Sequence, residues 1–243
     1  MRLILVVLYL IIFFIISIPL YLFEFILGRF NRHAMVASSQ AIVVRAFKVL
    51  LFLSGTKQTV IGLENVPKDE PILYIANHRS YYDIPVAYAT IPTLTGFMAK
   101  KEIARIPFLS TWMRFLQCLF LDRDDIKQGL QTILKAIEQV KAGYSIYIAP
   151  EGTRNQGKEM LPFKEGSFKI AEKTGCAIVP VSISNTETAF ETHAPWVKST
   201  HVVIEYGKPI YPKDLTKEQL KFLGSYVQGI IRDTLEKNAG LIK

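Results

Sequence analysis

The sequence predicts an α/β fold, a mixed and mostly parallel sheet flanked by helices and preceded by N-terminal membrane helices. Three observations carry this. From residue 56 on, short apolar runs of strand length alternate with helix-period stretches. Several of these runs stop abruptly at polar clusters. Near the start of the chain, 21 consecutive residues, 3–23, carry no charge. A chain of 243 residues suits one α/β domain plus an appendage. We expect a membrane-associated helical segment over 1–55 and a globular α/β domain over 56–243.

As a helix, residues 3–23 would be about 31 Å long, enough to cross a hydrocarbon core. The stretch is longer than the core of a signal peptide and lacks a small-x-small cleavage site. Pro19 is a candidate kink. Arg29, Arg32 and His33 follow and favour the cytoplasmic side. Residues 34–53 form a second apolar stretch, with Ser38, Arg45 and Lys48 on one narrow helical face, the pattern of an interfacial helix. The first segment either spans the bilayer or enters one leaflet and returns against the second.

Charge supports a membrane partner. The net charge is +8. Residues 1–60 hold six Lys/Arg against one acid, so most of the surplus travels with the apolar N-terminus. An anionic membrane surface is the expected partner. No long basic run or aromatic-basic stripe points to nucleic acid.

Strands are predicted at 59–61, 72–76, 96–99, 118–121, 145–149, 177–183 and 202–206. The clearest helix covers 125–142: acids open it, Ile126, Leu130, Ile133, Leu134, Ile137 and Val140 form its apolar stripe, and Gly143 ends it. A last helix is predicted over 217–237. Cys118 and Cys176 sit in apolar stretches and read as core residues in a reducing compartment. Neither they nor His33, His193 and His201 have metal-ligand spacing, so no metal is expected.

Four polar clusters begin where four predicted strands end: Asn77-His78, Lys100-Lys101, Asp122-Arg123, and Glu151-Gly152-Thr153-Arg154. If the strands are parallel, all four face one cleft, because ligands bind beyond the carboxyl ends of such strands. His78 is followed five residues later by Asp83. Positions five apart on a helix point about 140° from each other, so the two meet only across a turn. An imidazole backed by a carboxylate is a general base near neutral pH. The cations suit a phosphate: Arg154 by a bidentate contact, Lys100 as a point charge, and the Gly152 backbone by close approach. Each cluster also has a plain structural account. Asp83 can cap a helix beginning at Ile84-Pro85, Lys101 can sit in a solvated first turn, Arg123 can pair with a neighbouring Asp, and Pro150–Thr153 can be a turn.

Together these residues resemble the 1-acyl-sn-glycerol-3-phosphate acyltransferase family, the lysophosphatidate acyltransferases related to the glycerol-3-phosphate acyltransferases. NHRSYYD is similar to its NHxxxxD block. AKKEIARIPFL and FLDRDD resemble the second region with its Phe-x-x-Arg element, PEGTRNQGKEMLPFKEGSF the EGTR block, and IVPVSI around Pro180 the fourth. The resemblance runs from about Val60 to Gly207. It implies a glycerophosphate-acyltransferase-like fold and transfer of a fatty acyl group from a thioester, acyl-ACP or acyl-CoA as co-substrate, to the sn-2 hydroxyl of lysophosphatidate, giving phosphatidic acid. It implies His78 as base and Asp83 as its support. Lys100, Arg123, Glu151, Gly152, Thr153 and Arg154 would form the acceptor site, with Glu151 a loop organiser. Lys100, nearer the strand end than Lys101, is the expected substrate lysine. No cofactor and no cysteine nucleophile are required. The expected location is the cell membrane, with the catalytic domain at its cytoplasmic face. The alternatives are a relative acylating glycerol 3-phosphate or another lysolipid, a thioester hydrolase, and a non-catalytic lipid-binding membrane protein. The absence of a Gly-x-Ser-x-Gly turn near His78 argues against a serine hydrolase.

Overall fold

Seven apolar runs pair into a single sheet. In the computed structural model, which describes residues 1–155, 157 and 159–242, the chain opens with helices α1 (Arg2–Phe30) and α2 (Arg32–Ser54). It continues through β1 (Thr56–Ile61), β2 (Ile72–Ala76), α3 (Asp83–Tyr88), β3 (Thr95–Lys100), α4 (Leu109–Phe115), β4 (Leu119–Leu121), α5 (Ile126–Lys141) and β5 (Ser145–Ile148). It closes with α6 (Lys169–Thr174), β6 (Ala177–Ser184), β7 (Thr200–Tyr206), α7 (Lys217–Lys221) and α8 (Leu223–Asn238). Gln156 and Lys158, inside the EGTR-like block, lie outside the described residues.

The strand order is β1-β7-β6-β2-β5-β3-β4. The five strands from β6 to β4 are mutually parallel, and β7 pairs antiparallel with β6 while β1 runs parallel to β7. The mostly parallel sheet expected from the sequence is therefore present. Its consequence is positional: the carboxyl ends of β6, β2, β5, β3 and β4 share one rim. Strand β2 is buried along its whole length, as a strand covered on both faces must be. One face packs against the helical layer α1–α4, where Phe97 stacks between Tyr88 and Tyr147 at centroid distances of 4.1 and 4.2 Å. The other packs against α5, α6 and α8.

Helix α1 is inside out. Its polar residues Ser17 and Glu24 are fully buried. Ser17 Oγ accepts from Trp112 Nε1 at 2.9 Å, and Glu24 Oε1 accepts from Ser38 Oγ at 2.7 Å. Tyr21 donates its hydroxyl to the Phe108 carbonyl at 2.9 Å, which ties the helix to the start of α4. Ile4, Leu8, Ile15, Leu22 and Phe25 on the outer side are exposed. The helix runs unbroken through Pro19. Asn31 separates it from α2, accepting from the Ala34 N–H as N-cap at 2.9 Å. Gly55, left-handed with φ +76°, ends α2.

Three expectations are corrected. The interfacial reading of α2 does not hold in its simple form. Arg45 and Lys48 are exposed, but Ser38 turns to Glu24, and Val36, Val43, Ala46 and Leu50 are buried. Gln40 tacks the helix to the start of β3, donating to the Thr93 carbonyl at 2.7 Å and accepting from the Thr95 N–H at 2.9 Å. In α5, Asp125 caps the helix as the acids promised, yet only part of the stripe is core. Ile137 and Val140 are buried, whereas Ile126, Leu130 and Leu134 face outward, because the sheet covers a narrower arc of the helix than the apolar residues span. The helix predicted over 217–237 is two helices, broken at Phe222, whose φ of −122° and ψ of 41° are not helical.

The two sides of α5 should respond differently. Leu130→Glu should change stability by no more than about 0.5 kcal/mol, whereas Ile137→Ala should cost about 2–5 kcal/mol, both read by denaturant unfolding in detergent micelles.

Candidate active site

The site begins where β2 runs out. Asn77 continues the sheet with its side chain: Nδ2 donates to the Ile183 carbonyl at 2.8 Å, and the Ile183 N–H donates to Oδ1 at 2.9 Å. The chain then turns tightly through His78–Tyr82. Asp83 organises this turn. Its Oδ2 accepts from the N–H groups of Arg79 at 2.7 Å and Ser80 at 2.9 Å and from His78 Nδ1 at 2.7 Å. Its Oδ1 accepts from Thr186 Oγ1 at 2.5 Å. Asp83 is only 1% exposed. A carboxylate so deeply buried persists because donors surround it. Asp83 lies within α3 and does not cap it; its side chain folds back over the preceding turn instead.

This bonding sets the imidazole. Ionised Asp83 only accepts, so Nδ1 of His78 must carry the proton, which leaves the lone pair on Nε2. Among the described residues no hydrogen bond engages Nε2, and the side chain is 20% exposed. An imidazole held from behind with Nε2 open is thus assembled from a five-residue spacing.

Glu151 ties the second cluster to the first. Its Oε1 accepts from the His78 N–H at 2.8 Å and its Oε2 from the Leu161 N–H at 3.0 Å. The Asn155 N–H donates to the His78 carbonyl at 2.8 Å. Arg154 lies with its guanidinium 3.5 Å from the centre of the Tyr81 ring, three residues along the chain from His78. Its Nη1 is 3.8 Å from Glu191 Oε1. Glu191 in turn accepts from Ser80 Oγ and the Tyr81 N–H, each at 2.7 Å. Thr153 is exposed.

The remaining predicted cations have other neighbours. Lys100 is the last residue of β3; its Nζ lies 3.2 Å from Glu102, with the side chain half exposed. Lys101 is bound to Asp122 at 2.5 Å. Arg123 and Gly152 line a separate small cavity beyond β3, β4 and β5. Among the described residues no hydrogen bond or ion pair joins Lys100, Lys101 or Arg123 to the partners of Arg154. The three other histidines make local contacts: His201 with Thr59, His193 with Thr192, and His33 beside the Tyr144 ring.

Thr186 and Glu191 were not singled out from the sequence, although the signal was there. Ser184-Asn185-Thr186 is a fifth polar cluster after a fifth apolar strand, and it reaches the same rim.

Comparison with known proteins follows this geometry. Residues 57–184 match the family model described as Acyltransferase. A 1-acyl-sn-glycerol-3-phosphate acyltransferase of Borreliella burgdorferi is 34% identical over 203 residues, covering 83% of this chain and 80% of that one. One of the same name from Saccharomyces cerevisiae is also 34% identical over 203 residues, covering 82% and 67%. The crystal structure of the 1-acyl-sn-glycerophosphate acyltransferase PlsC from Thermotoga maritima superposes with a TM-score of 0.74 at 28% identity, covering 98% of this chain and 97% of that one.

Both cysteines are buried and unpaired. Burial pushes the Cys118 thiol up to about 11 and also raises that of Cys176. At pH 8 about one Cys118 in a thousand would be thiolate, and the thiolate is the reactive form. Iodoacetamide at pH 8 should leave both unmodified in the folded protein and label both after denaturation, as counted by intact-mass spectrometry.

Proposed function

Because the chain belongs to the acyltransferase family, we propose that it moves a fatty acyl group from a thioester to the sn-2 hydroxyl of 1-acylglycerol 3-phosphate, forming phosphatidic acid for phospholipid synthesis. The observation that carries this reading is the His78–Asp83 pair, with Nε2 open, on the same turn as the Tyr81 ring that holds Arg154.

The chemistry follows from those atoms. His78 Nε2 takes the proton of the acceptor hydroxyl as its oxygen attacks the thioester carbonyl. Asp83, hydrogen-bonded to Nδ1, stabilises the resulting imidazolium. The tetrahedral adduct collapses by breaking the carbon–sulfur bond, and the thiolate recovers the proton from His78. No acyl group rests on the protein. Arg154 is the acceptor-phosphate ligand in this proposal: its contact with Glu191 is long, so the guanidinium is free to add a bidentate contact. In a lysophosphatidate the phosphate lies on the carbon next to the reacting hydroxyl, so its ligand must be close to His78, as Arg154 is. Lys100 contributes charge at the rim. Glu151 keeps the loop at His78, and Gly152 and Thr153 carry the backbone between them. Holding hydroxyl and thioester together supplies much of the rate.

The inside-out α1 supports a lipid setting. Both α1 and α2 are long and apolar enough to cross a bilayer. One side of α1, however, is bonded to the domain through Ser17 and Tyr21. We therefore assign residues 1–55 to one leaflet, with the outer side of α1 in the acyl chains and residues 56–243 as the catalytic domain at the cytoplasmic face. The donor, acyl carrier protein or coenzyme A thioester, arrives from the water.

Lysophosphatidate, glycerol 3-phosphate and a phosphate-free lysolipid assayed side by side should be used in that order of preference. A preference for the phosphate-free acceptor would overturn the assignment. His78→Ala should lower kcat at least about a hundredfold, and Arg154→Ala should raise KM for lysophosphatidate about tenfold or more. Thr186→Val should lower kcat by about tenfold while the protein stays folded, and Thr186→Ser, which restores the donor, should recover most of it.

A further inference from the structure

Glu191 has a charge that its hydrogen bonds do not need. Its side chain is only 8% exposed. Ser80 Oγ donates to Oε2 and the Tyr81 N–H donates to Oε1, each at 2.7 Å. One short hydrogen bond to each oxygen fixes the carboxylate against the turn. A glutamine amide could make both bonds, accepting from Tyr81 N–H and donating to Ser80 Oγ. Burying a carboxylate costs more than burying an amide, so the turn alone does not explain the acid. The cation it faces is Arg154, whose Nη1 lies 3.8 Å from Oε1. Among the described residues Glu191 is the one carboxylate within 4.0 Å of Arg154.

A fixed carboxylate beside Arg154 acts in two ways. Before a lipid binds, it offsets the guanidinium charge and, with the Tyr81 ring 3.5 Å from the guanidinium carbon, steadies the side chain. When a phosphate reaches Arg154, the same carboxylate repels it. Held by Ser80 and Tyr81, it does not swing away. Such repulsion has a use in acyl transfer to lysophosphatidate, because the phosphate passes through the reaction unchanged. A tighter grip at Arg154 would stabilise acceptor, transition state and product alike. That lowers KM without raising kcat, and it holds phosphatidate on the protein.

We propose that Glu191 is a built-in counter-ion of Arg154, which weakens phosphate binding there and so favours the release of phosphatidate. This rests on the acyl-transfer reading above and deepens it. Glu191 is a positioning residue in this account and touches no reacting atom. The neighbouring acids have other partners: Glu187, in the same segment, pairs with Arg79 at 3.2 Å, while Asp83 and Glu151 serve His78. Glu187 therefore supplies a control, an equal charge on the same segment whose ion pair is with a different arginine.

The test uses the full-length protein in detergent micelles. Glu191→Gln removes the charge and can keep both hydrogen bonds. KM for lysophosphatidate is measured at saturating donor, together with the inhibition constants of phosphatidate and inorganic phosphate against lysophosphatidate. Glu191→Gln should lower all three about fivefold, a change opposite in sign to that of a damaged site. Glu187→Gln should move them less than about twofold. Inorganic phosphate should raise the unfolding temperature of Glu191→Gln more than that of the wild type, a readout that needs no turnover. If Glu191→Gln does not fold, Glu191→Asn against Glu191→Asp poses the same charge difference at one shorter length, and the Asn protein should bind phosphate more tightly. Unchanged or weaker phosphate binding without the charge, or an equal gain in Glu187→Gln, would overturn the counter-ion role. Failure of the wild type to acylate lysophosphatidate, with the phosphate shift still larger in Glu191→Gln, would overturn the functional reading instead.

Discussion

A single buried carboxylate governs the arrangement. Removing the charge of Asp83 from water is costly, and the four hydrogen bonds it accepts make that tolerable. Each bond constrains something different. Two N–H groups close the turn after β2. The His78 bond selects the tautomer that opens Nε2. The Thr186 bond holds the end of β6 against the same group. The carboxylate thus couples local turn geometry, imidazole orientation and the approach of a neighbouring strand. Glu151 and Glu191 repeat the device at lower stakes, each accepting from backbone N–H groups of the His78–Tyr81 turn.

The same logic is reversed in the N-terminal hairpin. A soluble helix turns apolar residues inward and polar ones outward. α1 buries Ser17 and Glu24 and leaves a broad apolar surface uncovered. Ser17 and one oxygen of Glu24 find partners there, which hydrocarbon could not provide. Because Tyr21 and Ser17 grip α4, the hairpin is a fixed part of the domain and not a tether. The site therefore has a set orientation relative to α1.

Much of this was legible because it rests on short-range pattern. The strand runs, the parallel sheet and the alignment of polar clusters on one rim followed from periodicity and from where each run stopped. The meeting of His78 and Asp83 followed from their spacing once a turn was granted. What was not legible depended on tertiary choices. Which arc of α5 the sheet would cover is not written in α5, so Ile126 and Leu130 read as core and lie outside. Ser38 read as part of a polar face because its partner, Glu24, belongs to another helix. Lys100, Arg123 and Arg154 read as one cluster because each follows a strand; the sequence does not say that Lys100 and Arg154 already have carboxylate neighbours. Thr186 was hidden by distance, 103 positions from the carboxylate it serves.

That distance has a temporal meaning. A nascent chain that has left the ribosome as far as Arg154 already contains His78, Asp83, Glu151 and Arg154, yet not the Thr186 hydroxyl and Glu191 carboxylate that brace them. The brace arrives only with residues 186–191. During synthesis the contacts of Thr186 and Glu191 can form only once about three quarters of the polypeptide has emerged, after Asp83 and Glu151 are already in place beside His78.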